Sequence, residues 1–505
     1  MERRKVGLII PHPEDQKWDS VWKVFRTPNL NLPTLAALIP EDEWDIDIQD
    51  ELVGPIDFTR VYDLLLITVT TSVAFRAYEI ARLFRERGAT VVLGGIHPSA
   101  VPEEAAHHAD AVVIGEGELT LPKLLEDFKR GKLERFYRMP HMVDAWDRRL
   151  PRWDLLPKGY LLRESVTVTR GCNYRCSFCS IHVALGGGQY GYRKKHPADV
   201  AKIVEHMNGP MVMFWDDDLL SDPVYTRELC LALKPLKKKW MSQMSATYVA
   251  HHPEMLRLLA EAGCRAMFMG FESIDQESLK SVNKQNTAKL YEELIRRIHD
   301  HGIDIHAGLI AGLDHEDVFG FERSAEWVNR MGLTGALWRI LTPYPGTRLF
   351  EELKSAGRLL TTDWTYYSGE HVVYRPAKMT VEELYWGHKW VKRQFYSYRS
   401  IGERSMRRAA QHGMGEFMNT LMAGLGYRSM FHLPTDEAPV DVYRDLNHLP
   451  LQPQPVAFRF PYPPAKRTID ALSPSLKKIS SKVWRSRQAN PVSEGSVPTE
   501  KQGQA

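Results

Sequence analysis

Between Glu164 and residue 356 the sequence alternates short apolar runs with amphipathic helical patterns six times over, and this alternation limits its folding more than anything else in the chain. Strands are expected at 165–169, 211–216, 240–248, 265–271, 304–310 and 335–342. Helices are expected between and after them at 197–208, 223–234, 253–262, 287–301, 316–331 and 347–356. Repeated strand–helix units bury their strands on both faces, and six of them make a parallel barrel or partial (β/α)6 barrel of the TIM-like kind. Chemistry on such a sheet belongs at the carboxyl ends of the strands.

A second alternation precedes the first. KVGLII (5–10), DIDIQD (45–50), DLLLITVT (63–70), TVVLGG (90–95) and AVVIGEGE (111–118) read as strands, with helical patterns at LPTLAALI (32–39) and AFRAYEIARLFRERG (74–88). This pattern predicts a doubly wound parallel sheet, whose ligands also sit beyond the strand ends. Those ends carry Pro11-His12, Thr68 to Ser72 (with Thr70), Gly94-Gly95-Ile96-His97 and Gly115-Glu116-Gly117. The expected organisation is an α/β domain over 1–125, a connector over 126–163 and a partial barrel over 164–358. A helical segment over 359–432 and a proline-rich, largely disordered tail over 433–505 complete it.

The net charge is +3 over 505 residues. That gives no electrostatic reason to expect nucleic acid, which needs a concentrated basic face. The first apolar run is too short for a signal-peptide core. The most apolar stretch, Tyr62 to Ala74, is broken by threonines and a serine, so no transmembrane segment is expected, and a cytoplasmic location follows as the default. Five cysteines are too few, and too unevenly placed, for a disulfide framework.

Three of those five lie together in TRGCNYRCSFCS (169–180), directly after the first strand of the barrel, as Cys172, Cys176 and Cys179 in the spacing C-x-x-x-C-x-x-C. Three thiolates from one loop can bind three irons of a cubane and leave the fourth open. Structural zinc would need a fourth protein ligand, for which His182 is the nearest candidate. Cys230 and Cys264 stand alone and read as packed small hydrophobes.

This motif, with Phe178 at its aromatic position, resembles the signature of radical S-adenosylmethionine (SAM) enzymes. The resemblance implies a [4Fe–4S] cluster on Cys172, Cys176 and Cys179, with SAM on the open iron. One-electron reduction then yields a 5′-deoxyadenosyl radical, the electron coming from an external donor such as flavodoxin or ferredoxin. It extends over 164–356. FWDDDLL (214–220) resembles the segment that meets the methionine amino group, implying Asp216 and Asp217. GFES (270–273) is similar to the family's G-[IF]-E-S, implying Glu272 and Ser273 near ribose and carboxylate. GLIAGLDHE (308–316) resembles the segment near adenine, implying Gly308 and Gly312, and LTPYPGT (341–347) resembles the sixth-strand motif. Plainer readings stand beside these: Asp218 as a helix cap, and the glycines as turn formers. Gly186-Gly187-Gly188 reads as a flexible loop, and Tyr190, Tyr192 and Arg193 as packing or cavity-lining residues.

The first 120 residues resemble the cobalamin-binding domain of one large radical SAM subclass, through LNLPTLAALIPE (30–41), VVLGGIHPSAVPEEA (91–105) and VVIGEGE (112–118). The resemblance implies cobalamin contacts at Thr70, Ser72, Gly94, Gly95, Gly115 and Glu116. The D-x-H-x-x-G motif that supplies a histidine to cobalt is missing, so cobalamin is expected without a histidine ligand. His12 and His97 are the only histidines at strand ends. The subclass implies a methyltransferase acting on an unactivated carbon of a lipid (a hopanoid, for example) or a secondary metabolite. A non-methylating oxidoreductase or cyclase of the anaerobic porphyrin-cyclase type shares every motif. A cobalamin sensor with a dead barrel is disfavoured by the intact cysteine triad. A tRNA methylthiotransferase is disfavoured by the cysteine-free first domain. The helix around Trp386, Trp390, Phe395, Tyr396 and Tyr398, with its lysines and arginines, either packs on the barrel or touches a membrane surface.

Overall fold

The structure, a computed structural model, describes residues 3–12, 27–139, 149–160, 162–184, 191–209 and 211–431. Gly186 to Gly188, Tyr190 and the tail expected over 433–505 lie outside the described residues.

The first sheet has six parallel strands: β1 (Arg4–Ile10), β2 (Trp44–Asp50), β3 (Leu64–Thr68), β4 (Thr90–Gly94), β5 (Ala111–Ile114) and β6 (Phe136–Arg138). Their order is β2-β1-β3-β4-β5-β6. Leu64 to Thr68 are buried throughout, as the unbroken apolar run of β3 requires of a strand inside the sheet between β1 and β4. The chain turns back on itself between β1 and β3, and a crevice opens beyond the strand ends at such a reversal. The sequence pattern did not register β6, whose three residues FYR are too short and too polar to stand out, although it pairs with β5 from Val112↔Phe136 to Ile114↔Arg138. The helix Gly117–Lys129 runs through the expected boundary at 125.

The second sheet is built of β7 (Ser165–Val166), β10 (Met211–Phe214), β11 (Lys239–Met244), β12 (Cys264–Glu272), β13 (Asp304–Ala311) and β14 (Gly335–Ile340). It is parallel throughout, in the order β14-β13-β12-β11-β10-β7. Between β7 and β10 a two-stranded antiparallel ribbon forms from β8 (Thr169–Arg170) and β9 (Arg193–Lys194), with Arg170 opposite Arg193. This ribbon closes the base of the loop that carries the cysteines. The apolar run expected as a strand over 240–248 breaks earlier, because Ala246–His251 folds as a helix.

Helices Val381–Phe395, Tyr398–His412 and Met414–Phe431 follow the barrel. The first is capped by Thr380 and Glu383 in reciprocal hydrogen bonds. It buries Tyr385, Val391, Lys392 and Phe395, and Tyr396 just beyond it bonds both backbone groups of Ala336. Packing on the barrel therefore accounts for Tyr385, Phe395, Tyr396 and Lys392, whereas Trp386 and Tyr398 stay exposed. None of the described helices is long and apolar enough to cross a membrane.

One core joins distant parts of the chain. Ile9, Leu65, Phe84, Val91 and Leu93 of the first sheet pack with Phe350, Trp364, Tyr367 and Val373, which follow the barrel strands. The Trp364 indole donates to Glu104 at 2.9 Å.

Candidate active site at the facing strand ends

The cysteine loop is held from three sides. Asp216, at the end of β10, accepts the N–H groups of Val168 and Thr169 at 2.7 and 2.6 Å, fixing the strand that leads into the loop. Asp217 accepts the Gly171 N–H at 2.7 Å. Further along, Ser177 N–H donates to Val282, Leu349 N–H to Ser177, and the Asn283 amide to Arg175. Cys172, Cys176 and Cys179 are all partly buried. Burial pushes the thiols of Cys172 and Cys179 up to about 12 and raises that of Cys176, while the positive charge of Lys284 pulls all three the other way. A thiolate metal ligand must lose this proton on binding. Among the described residues no group of three or more His, Cys, Asp or Glu is gathered tightly enough for one metal ion. Thiolates on separate irons of a cubane stand farther apart than ligands of one tetrahedral zinc. His182 turns Nε2 to the Tyr174 carbonyl at 2.5 Å. Phe178 is half-buried in the same loop.

The next strands supply charge. Glu272 sits at the end of β12, where the register shifts after Gly270 and the Glu272 backbone turns to φ 64°. A non-glycine residue held there costs on the order of 1–3 kcal/mol, and such strain gathers at functional sites. The turned carboxylate meets Lys284 Nζ at 3.0 Å, both side chains being largely buried. Ser273 donates to Glu316 Oε1 at 2.7 Å, and Glu316 Oε2 accepts the Gly312 N–H at 3.1 Å. Burial pushes the Glu316 carboxyl up to about 7. Gly312 has φ 94°, and a Cβ there would lie 2.5 Å from the Tyr374 hydroxyl, so only glycine fits. Gly308 has ordinary space around it.

Lys284 and Glu316 were not singled out from the sequence. Both act through pairing that links separate strand ends, which no local pattern records. Asp216 differs from its expected role. It is 2% exposed, its Oδ1 is occupied by two backbone donors, and burial raises its carboxyl to about 7, so it shapes the loop rather than facing open space. Asp218 caps no helix. It takes the Ser221 hydroxyl and the Ser245 N–H, and Asp222 caps the following helix.

Facing this end of the barrel lies a cavity of about 890 Å³. Thr70, Ser72, Gly94, Gly95, Gly115 and Glu116 all line it from the strand ends of the first sheet, and Thr167, Arg170, Ile181, Trp215 and Asp217 line it from the barrel. Gly95, at φ 104° with Val69 O 2.8 Å from any added Cβ, makes a turn that no other residue can make there. Glu116 lines the cavity, but its carboxylate is taken by Arg170 at 3.0 Å and by Arg193 at 2.7 and 2.6 Å, which ties the first sheet to the ribbon. Tyr192 donates to the Leu219 carbonyl. His12 lines the cavity, whereas His97 is fully buried with Nε2 beside the Tyr78 hydroxyl and Glu104. His97 is therefore withdrawn from any ligand at the strand ends. A wide, mostly apolar space floored by glycines and small hydroxyls fits a large flat cofactor, and His12 and His371 are the histidines among its described lining residues.

Comparison with known proteins agrees with this geometry. The Radical SAM superfamily matches residues 166–328, and the B12 binding domain matches residues 24–125. Two Chlorobaculum tepidum proteins are similar over most of the chain. The bacteriochlorophyllide d C-12(1)-methyltransferase is 29% identical over 419 residues, 79% of this chain and 89% of its own. The bacteriochlorophyllide d C-8(2)-methyltransferase is 29% identical over 405 residues, 75% and 87%. Among solved structures, the radical SAM methyltransferase TsrM from Kitasatospora setae, with cobalamin and a [4Fe–4S] cluster bound, aligns with a TM-score of 0.62 at 16% identity, over 84% of this chain and 99% of that one. Matching domains in the matching order, on two sheets whose strand ends face one cavity, make this chain a radical SAM enzyme with a B12-binding domain, whose cofactors are a [4Fe–4S] cluster, S-adenosylmethionine and cobalamin.

Proposed function

We propose that the enzyme is a methyltransferase that acts on an unactivated carbon of a largely apolar small molecule, a lipid or a secondary metabolite. The observation that carries this reading is the single cavity lined on one side by the strand ends of the B12-binding domain and on the other by Arg170, Ile181 and Asp217 around the cysteine loop. The similarity to two methyltransferases supports it. When bound, the cluster with SAM supplies a radical that removes a hydrogen atom, and cobalamin supplies the methyl group.

The protein's own residues have separate tasks in this scheme. Cys172, Cys176 and Cys179 would hold the cluster, and Asp216 and Asp217 keep the entry to their loop in place. Glu272, Ser273, Gly308 and Gly312 would contact SAM, with Lys284 and Glu316, which bond Glu272, Ser273 and Gly312, as positioning residues. Thr70, Ser72, Gly94, Gly95 and Gly115 would support cobalamin, without a histidine ligand. Glu116, through Arg170 and Arg193, fixes the two walls relative to each other. Reduction would come from flavodoxin or ferredoxin.

The test is anaerobic purification from cells supplied with cobalamin, then incubation with deuteromethyl-SAM and an extract of candidate substrates. The expected result is stoichiometric cobalt beside iron, and 5′-deoxyadenosine and S-adenosylhomocysteine formed together with a deuteromethyl-labelled product. 5′-Deoxyadenosine without S-adenosylhomocysteine or label would sink the methyltransferase reading and leave the radical enzyme.

A further inference from the structure

The wall of the cavity opposite the first sheet gathers charged side chains around Glu370. Arg339 of β14, Ser368, Glu370 and His371 of the following loop, and Tyr385 and Lys389 of helix Val381–Phe395 line it. Glu370 Oε1 accepts from Arg339 Nη1 at 2.5 Å, Lys392 Nζ lies 2.8 and 2.7 Å from its two oxygens, and Lys389 Nζ lies 3.6 Å from Oε2. Three cations thus share one carboxylate among the described residues. Glu370 and Lys392 are both buried, where unbalanced charge is costly. Burial, reinforced by the positive charges of Lys389 and Arg339, lowers the Lys392 ammonium to about 8 in spite of its bond to Glu370.

Arg339 is the member of this group with capacity to spare. Its side chain is 35% exposed, and beyond Nη1 its N–H groups make no hydrogen bond among the described residues. A guanidinium offers a planar fork that matches a carboxylate with two parallel hydrogen bonds. The acidic groups elsewhere on the cavity already have partners. Asp50 takes the Tyr160 hydroxyl and the Leu52 N–H, and Glu116 and Glu118 are bonded by Arg170 and Arg193. The rest of the lining is largely apolar, with Leu66, Ile67, Val92, Val113 and Trp215.

We propose that Arg339 and Lys389 dock a carboxylate of the substrate, which is therefore an amphipathic acid: an apolar body lies between the two sheets and its carboxylate is anchored beside β14. This deepens the reading of the cavity as the substrate site and rests on it. A bound carboxylate would take the Arg339 N–H groups that Glu370 leaves over and fix which carbon of the apolar body is presented. Cobalamin brings a phosphodiester of its own, and the test separates that anion from the substrate's.

The experiment uses the anaerobically reconstituted full chain, with protoporphyrin IX as a bulky amphipathic acid and its dimethyl ester as the uncharged control, binding being read by porphyrin fluorescence. The free acid is expected to saturate the wild-type enzyme at least about tenfold more tightly than the ester. Arg339→Gln should weaken the acid by about tenfold and leave the ester unmoved, and Arg339→Lys should restore part of the difference. Cobalt and iron contents of both variants should equal those of wild type. Equal binding of acid and ester by wild type, which needs no variant to fold, would overturn the proposal, as would the absence of saturable acid binding. Loss of cobalt in Arg339→Gln with acid affinity intact would assign the cationic wall to the phosphodiester and equally overturn it. A wild-type protein that takes up neither iron nor cobalt would instead fail the cofactor reading beneath it, while the acid–ester comparison would still decide the docking question.

Discussion

The two sheets prepare their strand ends in opposite ways. At the first sheet the ends are small and mostly uncharged, Thr70, Ser72, Gly94 and Gly95, and what they offer is space. At the second sheet the ends are crowded with ionisable groups under cover: three thiols, Asp216 to Asp218, the Glu272–Lys284 pair and Glu316. A large ligand that brings its own metal needs a shaped floor and few specific bonds. A cluster assembled on the protein needs covalent ligands, and charge around it must be settled in low dielectric. The first end should therefore fail by filling, and the second by loss of single atoms.

The sharpest break is expected at the cysteines. Cys172→Ala, Cys176→Ala or Cys179→Ala should bring iron down to background and abolish SAM cleavage, measured by metal analysis and 5′-deoxyadenosine formation. Cys230→Ala and Cys264→Ala, at sites buried away from the loop, should keep their iron. Filling the opposite end should give the converse phenotype. Ser72→Phe is expected to lower cobalt loading more than about tenfold while iron stays, because the side chain enters space and not a bonding network.

Charge changes around the second sheet should be felt in stability. Lys284→Gln leaves the largely buried Glu272 carboxylate unpaired and should cost about 3 kcal/mol in denaturant unfolding. Glu316 tests the pH dependence. Its carboxyl is raised by burial to about 7, above its unfolded value, so the folded state holds the proton more tightly. Stability should then be fully present at acid pH and fall as pH rises from about 4.5 to 7, by at most about 3 kcal/mol from this group. Glu316→Gln should flatten that part of the profile. Asp216 titrates in the same direction and would keep some slope. The smallest effect is expected at the bridge between the two ends, where Glu116→Gln weakens the contacts to Arg170 and Arg193 by about 1.5 kcal/mol. A loss of cobalt in that variant with iron intact would place Glu116 nearer the cofactor than the bridge implies.

What the sequence discloses follows the same division. The alternation of strands and helices is local, and both sheets could be read from it to within a few residues, apart from β6 and the early end of β11. Cys172, Cys176 and Cys179 are legible because a cluster demands close spacing along the chain. The small strand-end residues are legible as a class, because only turn formers stand between a strand and the next helix. Lys284, Glu316 and the Arg339–Glu370–Lys392 group are not, since each joins residues 12 to 43 positions apart whose types are common everywhere. Histidines mislead for a related reason: His97 follows a strand end as a ligand would, yet its ring turns inward to Tyr78.

The indole of Trp364 resting on Glu104, 260 positions away, bears on how this enzyme is made. Closing so long a loop is slow, and the contacts that reward closure come only at the end. While the ribosome is still adding the barrel, Ile9, Phe84 and Leu93 lack Phe350, Trp364 and Val373 as neighbours. The nascent first sheet therefore waits with an incomplete apolar face until synthesis has passed residue 373. A chain cut before that point should be captured by chaperones or aggregate rather than accumulate as a free cobalamin carrier.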